Sequence, residues 1–67
     1  MRHEEIQTTG TDDPVSGLLA VLALRRLAER LEAQQVAIAR DQGWSWQQIG
    51  DVLGVTRQSV HAKHGGR

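Results

Sequence analysis

Residues 45–63 read SWQQIGDVLGVTRQSVHAK, and this stretch decides the fold because it contains two short helical signals on either side of a glycine. Ser45 can cap the first helix while Gln48, three residues later, reaches back to the backbone of the cap. Ile49 and Leu53 then follow four residues apart on one face. The stretch therefore predicts a short helix with one apolar face that ends at the glycine.

That glycine, Gly54, predicts a tight turn into a second short helix. Glycine adopts without steric cost the left-handed conformation that often follows a helix end. Val55 is then expected to enter the core, Thr56 to cap the second helix, and Val60 to be its buried residue. Gly50 lies one turn before Gly54, where a missing side chain lets two backbones cross closely. The predicted core of this half of the chain is Ile49, Leu53, Val55 and Val60.

The run IGDVLGVTRQSVH within this stretch resembles the helix-turn-helix of bacterial transcription regulators and of the promoter-reading domain of sigma factors. In those proteins an apolar residue, a small residue, another apolar residue and a glycine-apolar turn recur at this spacing. The match covers less than a third of the chain. The resemblance implies a DNA-binding protein whose second short helix enters the major groove.

The polar face of the second helix supplies the candidate DNA contacts. Arginine and glutamine pair bidentately with guanine and adenine, so Arg57 and Gln58 are the first candidates for reading bases. Gln47, near the N-terminus of the first short helix, is a candidate donor to phosphate. The alternative is a merely solvated polar face, and the resemblance favours DNA contact over it. The candidate DNA-binding residues are Gln47, Thr56, Arg57, Gln58, Ser59, His61 and Lys63.

Two tryptophans stand at the start of the first short helix. Trp44 and Trp46 could either close the core between the neighbouring helices or stack on a sugar or base of DNA. Their position beside a helix start favours core packing for Trp46 and leaves both readings open for Trp44.

Upstream of this motif, residues 13–43 are predicted to form one long helix. Asp13 followed by Pro14 is a typical helix start, with the acid as cap and proline at the first helical position. Glycine at position 17 is the only interruption near the beginning, and Gly43 is the natural stop. The C-terminal half of the helix is amphipathic, with an apolar stripe formed by Leu24, Leu27, Leu31 and Ile38.

The N-terminal half of the long helix is apolar in every direction. The run Leu18–Leu24 covers all sides of the helix axis, so a monomer would expose a large apolar patch. A second copy is the most economical partner, about a two-fold axis, although the run alone does not choose between parallel and antiparallel crossing. A larger partner from the transcription machinery, such as a sigma factor or RNA polymerase, is the alternative. The candidate dimerisation residues are Leu18, Leu19, Val21 and Leu22.

Charge is distributed unevenly along a chain whose formal net charge is zero. Residues 1–13 carry one arginine against four acids, a net of −3, whereas residues 40–67 carry four lysines and arginines against two acids, a net of +2. The positive charge therefore lies with the predicted DNA-binding motif. Because this field is weak, one copy alone is expected to bind DNA poorly at physiological salt.

Composition argues against several other functions. The chain has no cysteine, which excludes disulfides and thiolate metal sites, and its three histidines show no metal-ligand spacing. No nucleophile has a plausible base nearby and so short a chain has little volume for a pocket, so we expect neither an enzyme nor a cofactor. The apolar run is too short to span a membrane and nothing resembles a signal peptide, so we expect a cytoplasmic protein.

The expected fold is all-α, with a long N-terminal helix followed by a helix-turn-helix and dimerised through the long helix. The predicted segments are a disordered acidic arm at 1–12, the dimerising helix at 13–43, the helix-turn-helix at 44–64 and a flexible tail at 65–67. The expected function is sequence-specific binding of double-stranded DNA by a homodimeric regulator of transcription.

Overall fold

A computed structural model describes residues 12–66, and the regular structure in this range is entirely helical. Helix α1 spans Pro14–Asp41, helix α2 spans Trp46–Leu53 and helix α3 spans Arg57–His64. The all-α prediction with a long first helix is confirmed. The predicted acidic arm, apart from Asp12, and the last residue of the predicted tail lie outside the described residues.

Helix α1 begins and ends as its sequence predicts. The Asp13 carboxylate accepts hydrogen bonds from the backbone N–H of Val15 at 3.1 Å and from the hydroxyl of Ser16 at 2.9 Å. Pro14 occupies the first turn, where its missing N–H costs no helical hydrogen bond. After Asp41, the chain leaves the helix through Gly43, which has a φ of +89°. This positive angle explains why the helix stops at a glycine.

Helices α2 and α3 are each fixed by a side-chain cap. Ser45 and Gln48 form a reciprocal capping box, since the Ser45 hydroxyl accepts from the Gln48 N–H at 3.0 Å and the Gln48 side chain accepts from the Ser45 N–H at 2.8 Å. Gly54 ends α2 in the left-handed conformation, with a φ of +78°. The Thr56 hydroxyl then accepts from the Ser59 N–H at 3.0 Å and starts α3. All three predictions are confirmed.

Gly50 is the point at which α2 meets the chain leading into α3. A Cβ atom at this position would lie 2.8 Å from the Val55 carbonyl oxygen and 3.3 Å from the Arg57 backbone nitrogen. Those atoms belong to the backbone and cannot move aside as the end of a flexible side chain can. The prediction that a missing side chain permits a close approach here is therefore confirmed.

The core of the described chain is small. Val36 of α1, Ile49 of α2 and Val60 of α3 are the buried hydrophobic residues among those described, and Ala39 and Trp46 pack against them. One residue from each helix therefore meets at a single point. Packing at this point sets the orientation of α2 and α3 against the C-terminal half of α1.

Two residues predicted to be core are exposed. Leu53 retains 43% of its accessible surface and Val55 retains 44%. Leu53 lines an open groove between α1 and α2, which no other described element closes. Val55 lies in the turn, where its carbonyl rather than its side chain approaches Gly50. The prediction placed these residues inside because it assumed that every apolar residue of the motif faces α1.

The short helices contact α1 through Val36 and leave the predicted apolar stripe exposed. Leu24, Leu27, Leu31 and Ile38 keep between 43% and 66% of their surface. The candidate dimerisation residues Leu18, Leu19, Val21 and Leu22 are exposed as well. Among residues 12–66, none of the helices has the combination of length and apolarity needed to cross a membrane.

Candidate nucleic-acid interface

The first turn of α3 carries the polar side chains of the predicted site that are exposed and form the fewest contacts within the described chain. Val60 points into the core, and Arg57, Gln58 and Ser59 are exposed to solvent. Within residues 12–66, the side chains of Arg57 and Gln58 form no hydrogen bond or ion pair. Thr56 lies at the cap, where its hydroxyl accepts from the Ser59 N–H and is therefore already committed as an acceptor.

Gln47 lies on the exposed side of α2. Its side-chain amide donates to the Asp51 carboxylate at 2.8 Å, one helical turn later. An exposed hydrogen bond of this kind is readily exchanged for one with another acceptor, because water competes for both groups. Gln47 can therefore still present an N–H donor at the N-terminal end of α2, whereas the neighbouring Gln48 is held in the capping box.

His61 stacks on Trp46, which also contacts Arg40. Its ring lies parallel to Trp46, with centroids 5.0 Å apart and an interplanar angle of 25°. The Arg40 guanidinium lies over the Trp46 ring, 4.4 Å from its centroid, and donates to the Trp44 carbonyl oxygen at 2.8 Å. Arg40, Trp46 and His61 thus connect all three helices, and Trp46 packs against the core as predicted. Trp44 remains at the surface, 36% exposed.

Arg40 was not among the sequence candidates. Its location four residues before Trp44, across the helix end at Gly43, is the signal that could have identified it. The chain must fold back at that glycine before an arginine of α1 can cover a tryptophan of α2.

Lys63, a predicted DNA contact, forms ion pairs with α1. Its ammonium group lies 2.8 Å from Glu29 and 3.2 Å from Glu32, both on α1, so it points toward the long helix. The next residue, His64, places Nε2 2.6 Å from the same Glu32 carboxylate. These contacts tie the last turn of α3 to α1, and Lys63 is on that account a poor candidate for groove contact.

The same contacts shift two pKa values. The hydrogen bond from His64, followed by that from Lys63, lowers the pKa of Glu32 below its usual value, despite the opposing effect of partial burial. The hydrogen bonds to Glu29 and Glu32 raise the pKa of Lys63. Glu32 is therefore ionised and Lys63 protonated across the physiological range, and the contact is an ion pair between helices.

The chain matches no protein-family model, no curated protein and no solved structure. Its functional assignment therefore depends on the geometry described above and on the sequence motif at residues 45–63.

Proposed function

We propose that this protein is a sequence-specific DNA-binding regulator of transcription that acts in the cytoplasm as a homodimer and has no enzymatic activity. Helix α3 is the recognition helix, and it lies in the major groove of double-stranded DNA. The observation that carries the proposal is the pair Arg57 and Gln58, which are exposed and lack partners within the described chain.

Three features support helix α3 as the element that reads bases. Its eight residues project from a turn fixed by Gly54, and its N-terminal backbone N–H groups add positive potential where DNA phosphates would approach. The side chains in its first turn are the residue types that form bidentate contacts with guanine and adenine. The contacts among Arg40, Trp46 and His61 and the Lys63 ion pairs hold α3 against α1 and α2.

The weak positive charge of one copy is the reason for proposing a homodimer. Pairing of Lys63 with two glutamates leaves Arg57 as the one unpaired lysine or arginine of helix α3. A single reading helix with so little charge would bind DNA weakly, whereas two linked helices act at a high effective concentration on one duplex.

A second candidate function is a protein-interaction module. It is favoured by the exposed residues Leu18, Leu19, Val21 and Leu22, which could dock on a sigma factor, RNA polymerase or another regulator. In that case the short helices would be scaffold, and purified protein would show no sequence preference on DNA.

The test starts with selection of bound duplexes from a random library by purified protein, followed by fluorescence anisotropy on the selected site and on a scrambled duplex. Arg57→Ala and Gln58→Ala should each weaken binding to the selected site by about 1–3 kcal/mol and affect the scrambled duplex much less. Arg26→Ala, which removes the same charge from α1, is the matched control and should preserve the preference.

Two results would contradict the proposal. Equal binding of wild type to selected and scrambled duplexes would favour the protein-interaction module. Retention of the full preference by both α3 variants would remove α3 as the reading element. Circular dichroism of each variant establishes that the fold is intact.

A further inference from the structure

The exposed apolar stripe of α1 has the spacing of a coiled-coil seam. Leu24, Leu27, Leu31, Gln34 and Ile38 follow one another at intervals of three, four, three and four residues. This alternation is the heptad repeat, in which each apolar residue fits between side chains of a second helix. The leucines and the isoleucine of the stripe are all at least 43% exposed. Nothing in the described chain therefore fills the role of that second helix.

The stripe lies on the side of α1 away from the short helices. At about 100° of rotation per residue, Leu31 lies about 140° around the helix from Val36, which faces the core. The positions that flank the stripe are mostly small, since Ala23, Ala28 and Ala37 occupy three of them. Small flanking residues allow another helix to approach closely at these positions.

An apolar groove continues from the C-terminal end of the stripe. It lies between α1 and α2, has a volume of about 330 Å³, and is lined by Ile38 together with Trp44, Val52 and Leu53. Val52 is 73% exposed. Because Ile38 belongs to both surfaces, a helix that packs along the stripe reaches the groove.

The N-terminal end of α1 exposes apolar surface that the short helices do not cover. The segment Leu18–Leu22 is apolar in every direction, and the short helices pack against α1 only farther along, between Glu29 and Arg40. Pairing along one stripe would cover only one side of this segment. A second apolar surface beside this segment of α1 is required to cover its other sides.

We propose that two copies of this chain pair antiparallel along the stripe, so that the segment Leu18–Leu22 of each copy packs into the groove of the other. The inference rests on the homodimer of the proposed function and specifies how it is built. Two antiparallel registers pair four stripe positions each. One of them would set Leu24 against Asp41, so we choose the other, which brings Leu27 of one copy to Leu31 of the second copy. The same register pairs Ala20 with Ile38 and Leu24 with Gln34.

The second copy is favoured as occupant because each copy supplies what the other lacks. One contact, repeated by the two-fold axis, covers the stripe, the groove and the all-apolar segment together. Val21 lies about 40° around α1 from Gln35, which lines the groove, and antiparallel pairing brings like sides together. A parallel pair would bury the stripe but leave both grooves open.

The surfaces involved are large enough for a stable dimer. Among residues 12–66, thirteen large apolar side chains are exposed, and twelve of them lie on or beside the stripe, the groove and the N-terminal half of α1. At half exposure, such side chains amount to on the order of 800 Å² for each copy, which is the area that a standard interface buries.

Two polar residues, Gln34 and Arg30, lie in or beside the proposed interface and must be accommodated there. Gln34 meets Leu24 one layer inside the Ala20–Ile38 pair, and its side chain is long enough to turn its amide toward solvent. Arg30 flanks the stripe near the two-fold axis, so the Arg30 side chains of the two copies approach and repel each other. Because Arg30 is exposed, solvent and salt screen this repulsion and keep it small.

Disulfide trapping distinguishes the arrangements, because the natural chain has no cysteine. Ala20→Cys and Ile38→Cys are made in chains of different mass, mixed, equilibrated without DNA and oxidised. We expect crosslinks between Ala20→Cys and Ile38→Cys chains and little crosslinking of either variant with itself. In the antiparallel register two copies of position 20 lie about 27 Å apart along the axis, well beyond the reach of a disulfide.

Leu24→Cys mixed with Gln34→Cys repeats the test one layer further in, and covers the case in which one variant of the first pair does not fold. Crosslinking of each variant with itself would overturn the proposal and indicate a parallel dimer. Absence of all crosslinks would also overturn it and would indicate association through another surface or with another partner. Neither of these crosslinking results changes the outcome of the DNA-binding test on Arg57 and Gln58, because that test measures the contribution of α3 alone.

Discussion

Two glycines of the α2–α3 region are needed for different physical reasons. Gly50 is required because it is small, since a Cβ atom there would lie 2.8 Å from a backbone oxygen. Gly54 is required for its backbone conformation, with a φ of +78° and no atom within 4 Å of a Cβ placed on it. The two positions therefore respond to different substitutions, and Gly54 isolates the conformational effect from any clash.

At Gly54, Val and Asn should give different results. Gly54→Val should lower the free energy of unfolding by about 1–2 kcal/mol, because a β-branched residue is strained at a positive φ. Gly54→Asn should lower it by less, since asparagine tolerates the left-handed conformation better than other residues with a side chain. Urea unfolding followed by circular dichroism measures both. Equal losses would show that backbone conformation is not the limiting property at this position.

Sequence reasoning succeeded at the residue scale where the determinants are local. The caps at Asp13, Ser45 and Thr56 and the left-handed Gly54 depend on side chains within a few residues, and each was predicted correctly. Lys63 was predicted to face DNA because the sequence does not show which way a polar residue at the end of a helix points. Its partners lie more than thirty residues earlier on α1.

At the scale of helices, a cluster of charges replaces an apolar contact at the end of α3. Val60 is the last buried residue of that helix, and beyond it the attachment to α1 is carried by Glu29, Glu32, Lys63 and His64. Glu32 is the centre of this cluster, because it contacts both Lys63 and His64. The orientation of helix α3 is consequently linked to the ionisation of one carboxylate.

Stability should fall with acid through Glu32. Because its pKa is lowered in the folded state, its contribution is complete above the ordinary value of 4.5 and is lost as pH falls through the folded-state pKa. Glu32→Gln should lower the free energy of unfolding by about 1 kcal/mol at pH 7 and should make the loss between pH 5 and pH 3 shallower. Urea unfolding across this range gives both quantities.

Glu29→Gln is the matched control for that substitution. The Glu29 side chain is 59% exposed and contacts Lys63, whereas Glu32 is 26% exposed and contacts both cations. The control should therefore change stability less. Identical pH profiles for wild type and Glu32→Gln would contradict a role for this carboxylate in holding α3.

At the scale of the described molecule, residues 12–66, thirteen large apolar side chains are exposed whereas three hydrophobic residues are buried. Val36, Ile49 and Val60 form a core that is small for a chain in which one helix alone has 28 residues. Sequence reasoning predicted that the long helix needs a partner, but it did not identify the groove. That surface exists because α2 meets α1 at an angle that leaves Leu53 outside, and such a packing angle is not encoded in any local pattern.

Substitutions at two exposed valines test whether the groove takes part in association. Val52→Lys places a charge in the groove and should raise the dissociation constant of the proposed dimer at least about tenfold, because the ammonium would be desolvated at the interface. Val55→Lys is the matched control, since Val55 is also exposed but does not line the groove. Sedimentation equilibrium measures both, and an equal effect of the two would exclude the groove from the interface.

The two tryptophans give the molecule a built-in optical reporter for each of its two contacts. Trp46 contacts both Arg40 of α1 and His61 of α3, so its fluorescence depends on how α3 is seated against α1 and α2. Trp44, only two residues away, lines the groove on the other side of α2. A chain that keeps only Trp46 reports the seating of α3, and a chain that keeps only Trp44 reports the arrival of a second molecule. Emission from these two single-tryptophan chains can thus separate the seating of α3 from the proposed self-association.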